Sequence, residues 1–150
     1  MTARQRPIAG KPSIARRATV AGRLTLRPST VRALRAGTID KGDSLATAET
    51  AGLLAMKRTS DLIPHCHMVP LTASSVALAV DARGVRVRAA AESFGATGVE
   101  MEALVGASIA LLTVWDMVKY LEKDARGQYP RTALGPVRVV RKYKGARSPA

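Results

Sequence analysis

An α+β sandwich is predicted by three features of this sequence. Two alternating apolar stretches meet at a tight turn near its middle, one long apolar segment with helical end signals follows them, and further alternating stretches lie towards both ends of the chain. The chain has 150 residues, enough for one domain with a substantial core, and 47% of them are hydrophobic. Aromatic residues make up only 3%. The core must therefore be built from Ala, Val, Leu and Ile, and stacking of bases on aromatic side chains is a poor fit as a main activity.

Residues 1–12, with Arg4, Arg6, Pro7, Gly10, Lys11 and Pro12, show little periodicity and are expected to form a mobile basic arm. From Arg23, Leu24 and Leu26 alternate with polar residues and predict a short strand. Pro28 can open a brief helix through Arg35, with Gly37 placed to end it. Lys41-Gly42-Asp43 reads as a turn, and Asp43 is a suitable N-cap for a helix over Ser44 to Thr59. Leu45, Ala48, Gly52, Ala55 and Met56 stand at helical spacing within it. Pro64 stops that helix, so the tract from Pro64 to Pro70 is expected to be a loop or an irregular strand entry.

Val76, Leu78 and Val80 alternate, Asp81-Ala82-Arg83-Gly84 supplies a turn, and Val85, Val87 and Ala89 alternate back, which predicts a hairpin. A long helix follows from about Val99 to Lys123. Glu100 and Glu102 sit at the positive end of its dipole, and Lys119 and Lys123 at the negative end. Its middle is apolar on nearly all sides, which points to burial by a sheet and by a second subunit. Val137 and Val139, alternating with Arg138 and Arg141, predict a last strand before a basic tail. The predicted order is a ferredoxin-like βαββαβ sandwich, an antiparallel sheet packed on two long helices. The domain is expected over residues 13–145, with a tail over 146–150.

The formal net charge is +13. Residues 1–41 hold ten Lys/Arg and one acid, residues 119–150 nine and two, and the stretch between them five and eight, so two basic arms flank a slightly acidic middle. That distribution suits an anionic partner, either a phosphorylated small molecule or nucleic acid, although a solvated surface would have the same composition. A single cysteine, Cys66, excludes an internal disulfide and a multi-cysteine metal site. The uncharged run Ala103 to Trp115 is shorter than the roughly 20 residues of a membrane span. The N-terminus lacks the apolar segment of a signal peptide, and the cytoplasm is the expected location.

Four clusters can carry chemistry. His65-Cys66-His67 places two imidazoles at i and i+2. Two readings are open: a metal-dependent hydrolase site, although zinc takes three or four ligands and no second Cys/His cluster exists elsewhere, or imidazoles that hold phosphate or move a proton. Glu100-Met101-Glu102 heads the long helix, where the carboxylates can simply complement its dipole. Asp116 and Lys119 are one turn apart on that helix, either as an exposed ion pair or as an acid–base couple in a cleft, with pKa values perturbed by partial burial. Lys41, Lys57 and Arg58 add cations near one turn and one helix end, and Gly42 lets backbone approach a ligand. The Walker A spacing is absent.

Several segments in order resemble the MoaC family: Lys41-Gly42-Asp43-Ser44-Leu45-Ala46-Thr47-Ala48, Ala51-Gly52, Lys57 to Pro64, Cys66-His67, Thr97 to Leu104, and Trp115-Asp116-Met117-Val118-Lys119. The resemblance covers roughly residues 11–145, and the Gly127-Gln128-Tyr129-Pro130 loop looks like the archaeal branch. Where the family usually has Leu and Pro around Cys-His this chain has His65 and Met68, and Ala96 stands where a basic residue is common.

The resemblance implies a ferredoxin-like lyase of molybdenum-cofactor biosynthesis that converts a cyclised dihydro-GTP into cyclic pyranopterin monophosphate and releases diphosphate. It implies a hexamer made of three dimers, with the active site at the dimer interface. It assigns acid–base catalysis to Asp116, with Lys119 beside it and Lys41 as a third participant. It places substrate on His65, Cys66, His67, Met101 and Glu102, with Glu100, Lys57, Lys11, Arg16 and Lys142 as further charged positions. A lysine of lowered pKa beside a carboxylate is expected to move the protons. No cofactor is expected, although magnesium can accompany the triphosphate. The alternative from another class is a ferredoxin-like nucleic-acid-binding module using the basic arms.

Overall fold

The structure, a computed structural model, describes residues 2–145. The tail over 146–150 and Met1 lie outside the described residues. Nine elements follow in order: β1 (Ile14–Thr25), α1 (Pro28–Ala36), α2 (Ser44–Lys57), α3 (Thr59–Leu62), β2 (Ala73–Asp81), β3 (Gly84–Gly95), α4 (Glu100–Glu122), β4 (Ala133–Leu134) and β5 (Arg138–Gly145).

The sheet runs β2-β3-β1, and β4 and β5 share the remaining edge of β1 as two pieces of one edge strand. All pairings are antiparallel. With α2 and α4 as the crossovers, this is the predicted ferredoxin-like βαββαβ arrangement. The hairpin register pairs Val80 with Val85 and Leu78 with Val87, as the alternation requires.

β1 differs most from its sequence expectation. It begins nine residues before Arg23 and ends before Leu26. It is the central strand, bonded to β3 along its whole length and to β4 and β5 on its other side. A strand enclosed in this way is secured by ladder bonds on both edges, so a residue as small as Ala18 suffices on its inner side beside Val20 and Leu24. The adjacent Arg16 and Arg17 mask the alternation.

The core lies between the sheet and the α2–α4 layer. Val20, Leu24, Val85, Leu111, Val114 and Val118 are all fully buried, each contributing about 1.5–3 kcal/mol relative to exposure. α2 and α4 cross at Gly52 and Gly106. A Cβ on Gly52 would lie 2.8 Å from the Gly106 carbonyl oxygen, so the two backbones touch. α4 is long and apolar enough to cross a membrane by length and composition alone. Here it buries Ala103, Ala107, Ala110, Leu111 and Val114 inside the sandwich.

Local chemistry sets the element ends. Pro28 occupies the first position of α1, and Gly37 closes it with a left-handed φ of 67°. The Asp43 carboxylate caps α2 by accepting the N–H groups of Leu45 at 3.1 Å and Ala46 at 3.0 Å. Between them Gly42, at φ 93°, completes a turn in which its N–H donates to the Ile39 carbonyl at 2.9 Å. That turn carries Lys41 towards α4.

Candidate active site

Two groups of polar side chains form at opposite ends of α4. The first gathers around Asp116. The Lys41 ammonium donates to the Asp116 carboxylate and to its main-chain carbonyl, both at 2.9 Å, although 75 residues separate the two in sequence. The Lys119 ammonium donates to the other carboxylate oxygen at 2.6 Å. The three groups thus form one cation–anion–cation cluster. In the single chain it is about half exposed, with side-chain accessibilities of 44% for Lys41, 56% for Asp116 and 47% for Lys119.

The hydrogen bonds from Lys119 and then Lys41 hold the Asp116 carboxyl at a pKa of about 2. The Lys119 ammonium, hydrogen-bonded to that carboxylate, has its pKa raised. This corrects the expectation of a lysine with lowered pKa and of a partly buried pair. Lysine loses its charge readily only where burial outweighs pairing, and here pairing dominates. At neutral pH Asp116 is therefore a carboxylate and Lys119 an ammonium group.

Two tyrosines missed by sequence reasoning border this cluster. Tyr120, one turn beyond Asp116, accepts the Asp40 N–H on its hydroxyl oxygen at 3.0 Å. Tyr129 packs edge-on against Trp115, with centroids 5.9 Å apart and planes at 79°, which brings the loop after α4 beside Lys119. The i, i+4 spacing of Asp116 and Tyr120 was the available signal for the first. The second depends on the turn of residues 124–128, where Asp124 accepts the N–H groups of Arg126 and Gln128.

The second group surrounds a cavity of about 430 Å³ where α4 begins. His65, Cys66, His67, Glu100, Met101 and Glu102 line it together with Val69, Thr97 and Gly98. Pro64 to Pro70 is irregular here, with no strand, so the two imidazoles are not held by a pleat. The Lys142 ammonium on β5 pairs with Glu100. Arg16 on β1 donates to the carbonyls of Gly95 and Ala96, both at 3.3 Å, so a cation stands beside the segment where Ala96 itself supplies none.

The two glutamates are pushed apart electrostatically. Burial drives the Glu100 carboxyl up, but hydrogen bonds from Lys142 and its own N–H, with the charges of Lys142 and Arg16, outweigh it and leave the pKa lowered. Burial raises that of Glu102, its own N–H bond offsets this in part, and the Glu100 charge adds to the rise. Burial, with Glu102 nearby, also raises the Cys66 thiol, which disfavours the thiolate that nucleophilic or metal chemistry requires. Among the described residues no group of three or more His, Cys, Asp or Glu could share a metal ion. The N-terminal arm is not free of the domain, because Gln5 donates to the Cys66 carbonyl at 2.5 Å.

Lys57 and Lys11 join neither group by any hydrogen bond or ion pair among the described residues. Lys57 is exposed in the last turn of α2 and Lys11 is exposed before β1. The other sequence-derived positions fall into the two groups. Glu102 and Asp116 are fourteen residues apart on one helix, about 21 Å along its axis. A single chain therefore cannot bring both groups to one reacting centre, which requires contacts of about 3–3.5 Å.

The chain is 49% identical over 137 residues to a protein of Methanococcoides burtonii named probable cyclic pyranopterin monophosphate synthase, covering 91% of this chain and 86% of that one. Proteins with the same name from Pyrococcus furiosus and Archaeoglobus fulgidus are 48% and 46% identical, covering 92% and 93% of this chain and 88% and 90% of theirs. The profile of the MoaC family matches residues 6–145, a span that contains the Lys41–Asp116–Lys119 cluster, the cavity at the head of α4 and every strand and helix between them, and the chain belongs to that family.

Proposed function

We propose that this protein is a cyclic pyranopterin monophosphate synthase, a lyase of molybdenum-cofactor biosynthesis. It takes 3′,8-cyclo-7,8-dihydroguanosine 5′-triphosphate to cyclic pyranopterin monophosphate and releases diphosphate. The observation that carries this reading is the meeting of Lys41, Asp116 and Lys119, brought together from two distant segments that the family resemblance singles out.

The charge states suit the chemistry. Closing the cyclic phosphate forms a bond between a substrate hydroxyl oxygen and the α-phosphorus and breaks the bond from that phosphorus to the diphosphate oxygen. Asp116, ionised at neutral pH, accepts the hydroxyl proton as the Lys41 and Lys119 hydrogen bonds that depress its pKa pass to the substrate's oxygens. The Lys41 and Lys119 ammonium groups donate to oxygens that gain negative charge as diphosphate leaves, and can supply protons during purine ring opening. At the other group His65, His67 and Met101 line the substrate cavity. Burial raises the Glu102 pKa, and Lys142 and Arg16 supply positive charge towards the polyphosphate. Lys11 and Lys57 belong to the wider basic surroundings. The reading takes no cofactor into the reaction, and magnesium carried by the triphosphate is compatible with it.

The site in this reading is shared between two copies. Met101, Val105, Ile109 and Leu112 follow one another at spacings of three and four residues, a stripe left open on α4 between the two polar groups, with Met101 39% and Leu112 44% exposed. An isologous pairing along that stripe would set Asp116 of one copy against Glu102 of the other and cover the apolar residues. Three such pairs give the hexamer, and the cytoplasm supplies the nucleotide. The direct test is to incubate the purified protein with the GTP-derived intermediate and follow the pterin product. Asp116→Ala and Lys119→Ala should each reduce turnover by at least about 100-fold while folding normally. Near-normal product formation by either variant refutes the assignment.

A further inference from the structure

We propose that Tyr120 is a positioning residue, whose hydroxyl holds the 38–42 loop so that the Lys41 ammonium meets Asp116. The inference rests on the proposed function of that cluster, and it begins from a mechanical difficulty. Lysine presents a point charge on a flexible four-carbon stem. Where its ammonium dwells therefore depends on where its backbone is held. Lys41 lies in the loop between α1 and α2, next to Gly42 with its φ of 93°, the most permissive backbone position of the turn.

The other backbone hydrogen bonds of this loop are local. Thr38 N–H donates to Ala33 at 3.1 Å and Gly42 N–H to Ile39 at 2.9 Å. These shape the turn but do not attach it to the helix that carries Asp116. Among the described residues, the Asp40 N–H to Tyr120 hydroxyl bond is the only one from the loop backbone to an element other than the adjoining α1 and α2, the Ser44 hydroxyl at the start of α2 donating to the Gly42 carbonyl at 3.5 Å. It acts on the residue immediately before Lys41. Tyr120 lies one helical turn beyond Asp116, so α4 grips the loop at two adjacent points: the backbone through Tyr120 and the side chain through the Asp116 carboxylate and carbonyl.

Loss of the hydroxyl releases the first grip. The loop then moves about Gly42, and the ammonium divides its time between Asp116 and water. Lys119 is unaffected, because its bond to the other Asp116 oxygen is made within α4. Tyr120→Phe removes only the oxygen and keeps the ring.

Two measurements test this. In the turnover assay, Tyr120→Phe should lower kcat about 10-fold with KM within about twofold, and the same change made in Lys41→Ala should cost nothing further. Independently of turnover, the Asp116 carboxyl carbon followed by NMR against pH should titrate higher in Tyr120→Phe than in the wild type, since one of its two cationic partners has withdrawn. Unchanged kcat, a raised KM alone, full multiplication of the two mutational effects, or an unshifted Asp116 titration would each overturn the proposal. A wild-type protein that makes no pterin defeats the functional reading instead, and the titration still tests Tyr120.

Discussion

Glu122 ends α4 with its carboxylate fully buried, and it accepts hydrogen bonds from two separate segments. The Arg27 N–H reaches its two oxygens at 3.1 and 3.3 Å, and the Thr132 hydroxyl donates at 2.6 Å. Arg27 is the N-cap of α1, and Thr132 precedes the edge strand β4. One side chain thus ties the end of the core helix to the helix leading into the Lys41 loop and to the sheet edge. Glu122→Ala leaves two donors without acceptors, at about 1–3 kcal/mol each, so the expected loss is about 2–6 kcal/mol. The lower half of that range applies if the threonine hydroxyl rotates to another acceptor. Glu122→Gln keeps one acceptor oxygen and should lose about half as much. Urea unfolding measures this, with the midpoint falling and the slope unchanged. An alanine variant within about 0.5 kcal/mol of wild type would refute the reasoning, because such a value belongs to exposed positions without partners.

Two other outcomes follow from the packing and the charges. Gly52→Ala should destabilise by about 1–3 kcal/mol despite alanine's better helix propensity, because its Cβ meets a backbone oxygen that cannot turn aside; an equal or higher unfolding midpoint contradicts the close crossing. The depressed pKa of Asp116 makes its ion pairs stabilising above its unfolded value near 4, with the contribution lost as pH falls through about 2. The difference in urea midpoint between wild type and Asp116→Asn should therefore be full at pH 5 and shrink towards pH 2, and a difference that grows on acidification would reverse the sign of the argument.

Much of the fold was legible because local chemistry and burial agree. The hairpin, the Asp43 cap, Gly37 at the end of α1 and the span of α4 follow from periodicity and end signals. The first half of β1 did not, because a strand bonded on both edges tolerates alanines beside arginines and no longer alternates cleanly. At the site, the Asp116–Lys119 pair could be read from i, i+3 spacing, whereas Lys41 at their side came only from the family resemblance, since nothing local brings residue 41 to residue 116. The pKa direction of Lys119 depends on whether pairing or burial prevails, which requires exposure as well as identity. Tyr120, Glu122 and Gln5 act through tertiary hydrogen bonds that leave no pattern along the chain.

The central claim is that one reacting centre is assembled from the Asp116 end of one copy and the Glu102 end of another. Its most direct measurement mixes two variants that this claim makes inactive on their own, Asp116→Ala and Glu102→Ala, unfolded together and refolded at equal concentration. Random pairing makes half the pairs mixed, each with one intact site, so roughly a quarter of wild-type pterin formation should return. A mixture as inactive as either variant alone, with exchange of subunits demonstrated, would contradict a shared site.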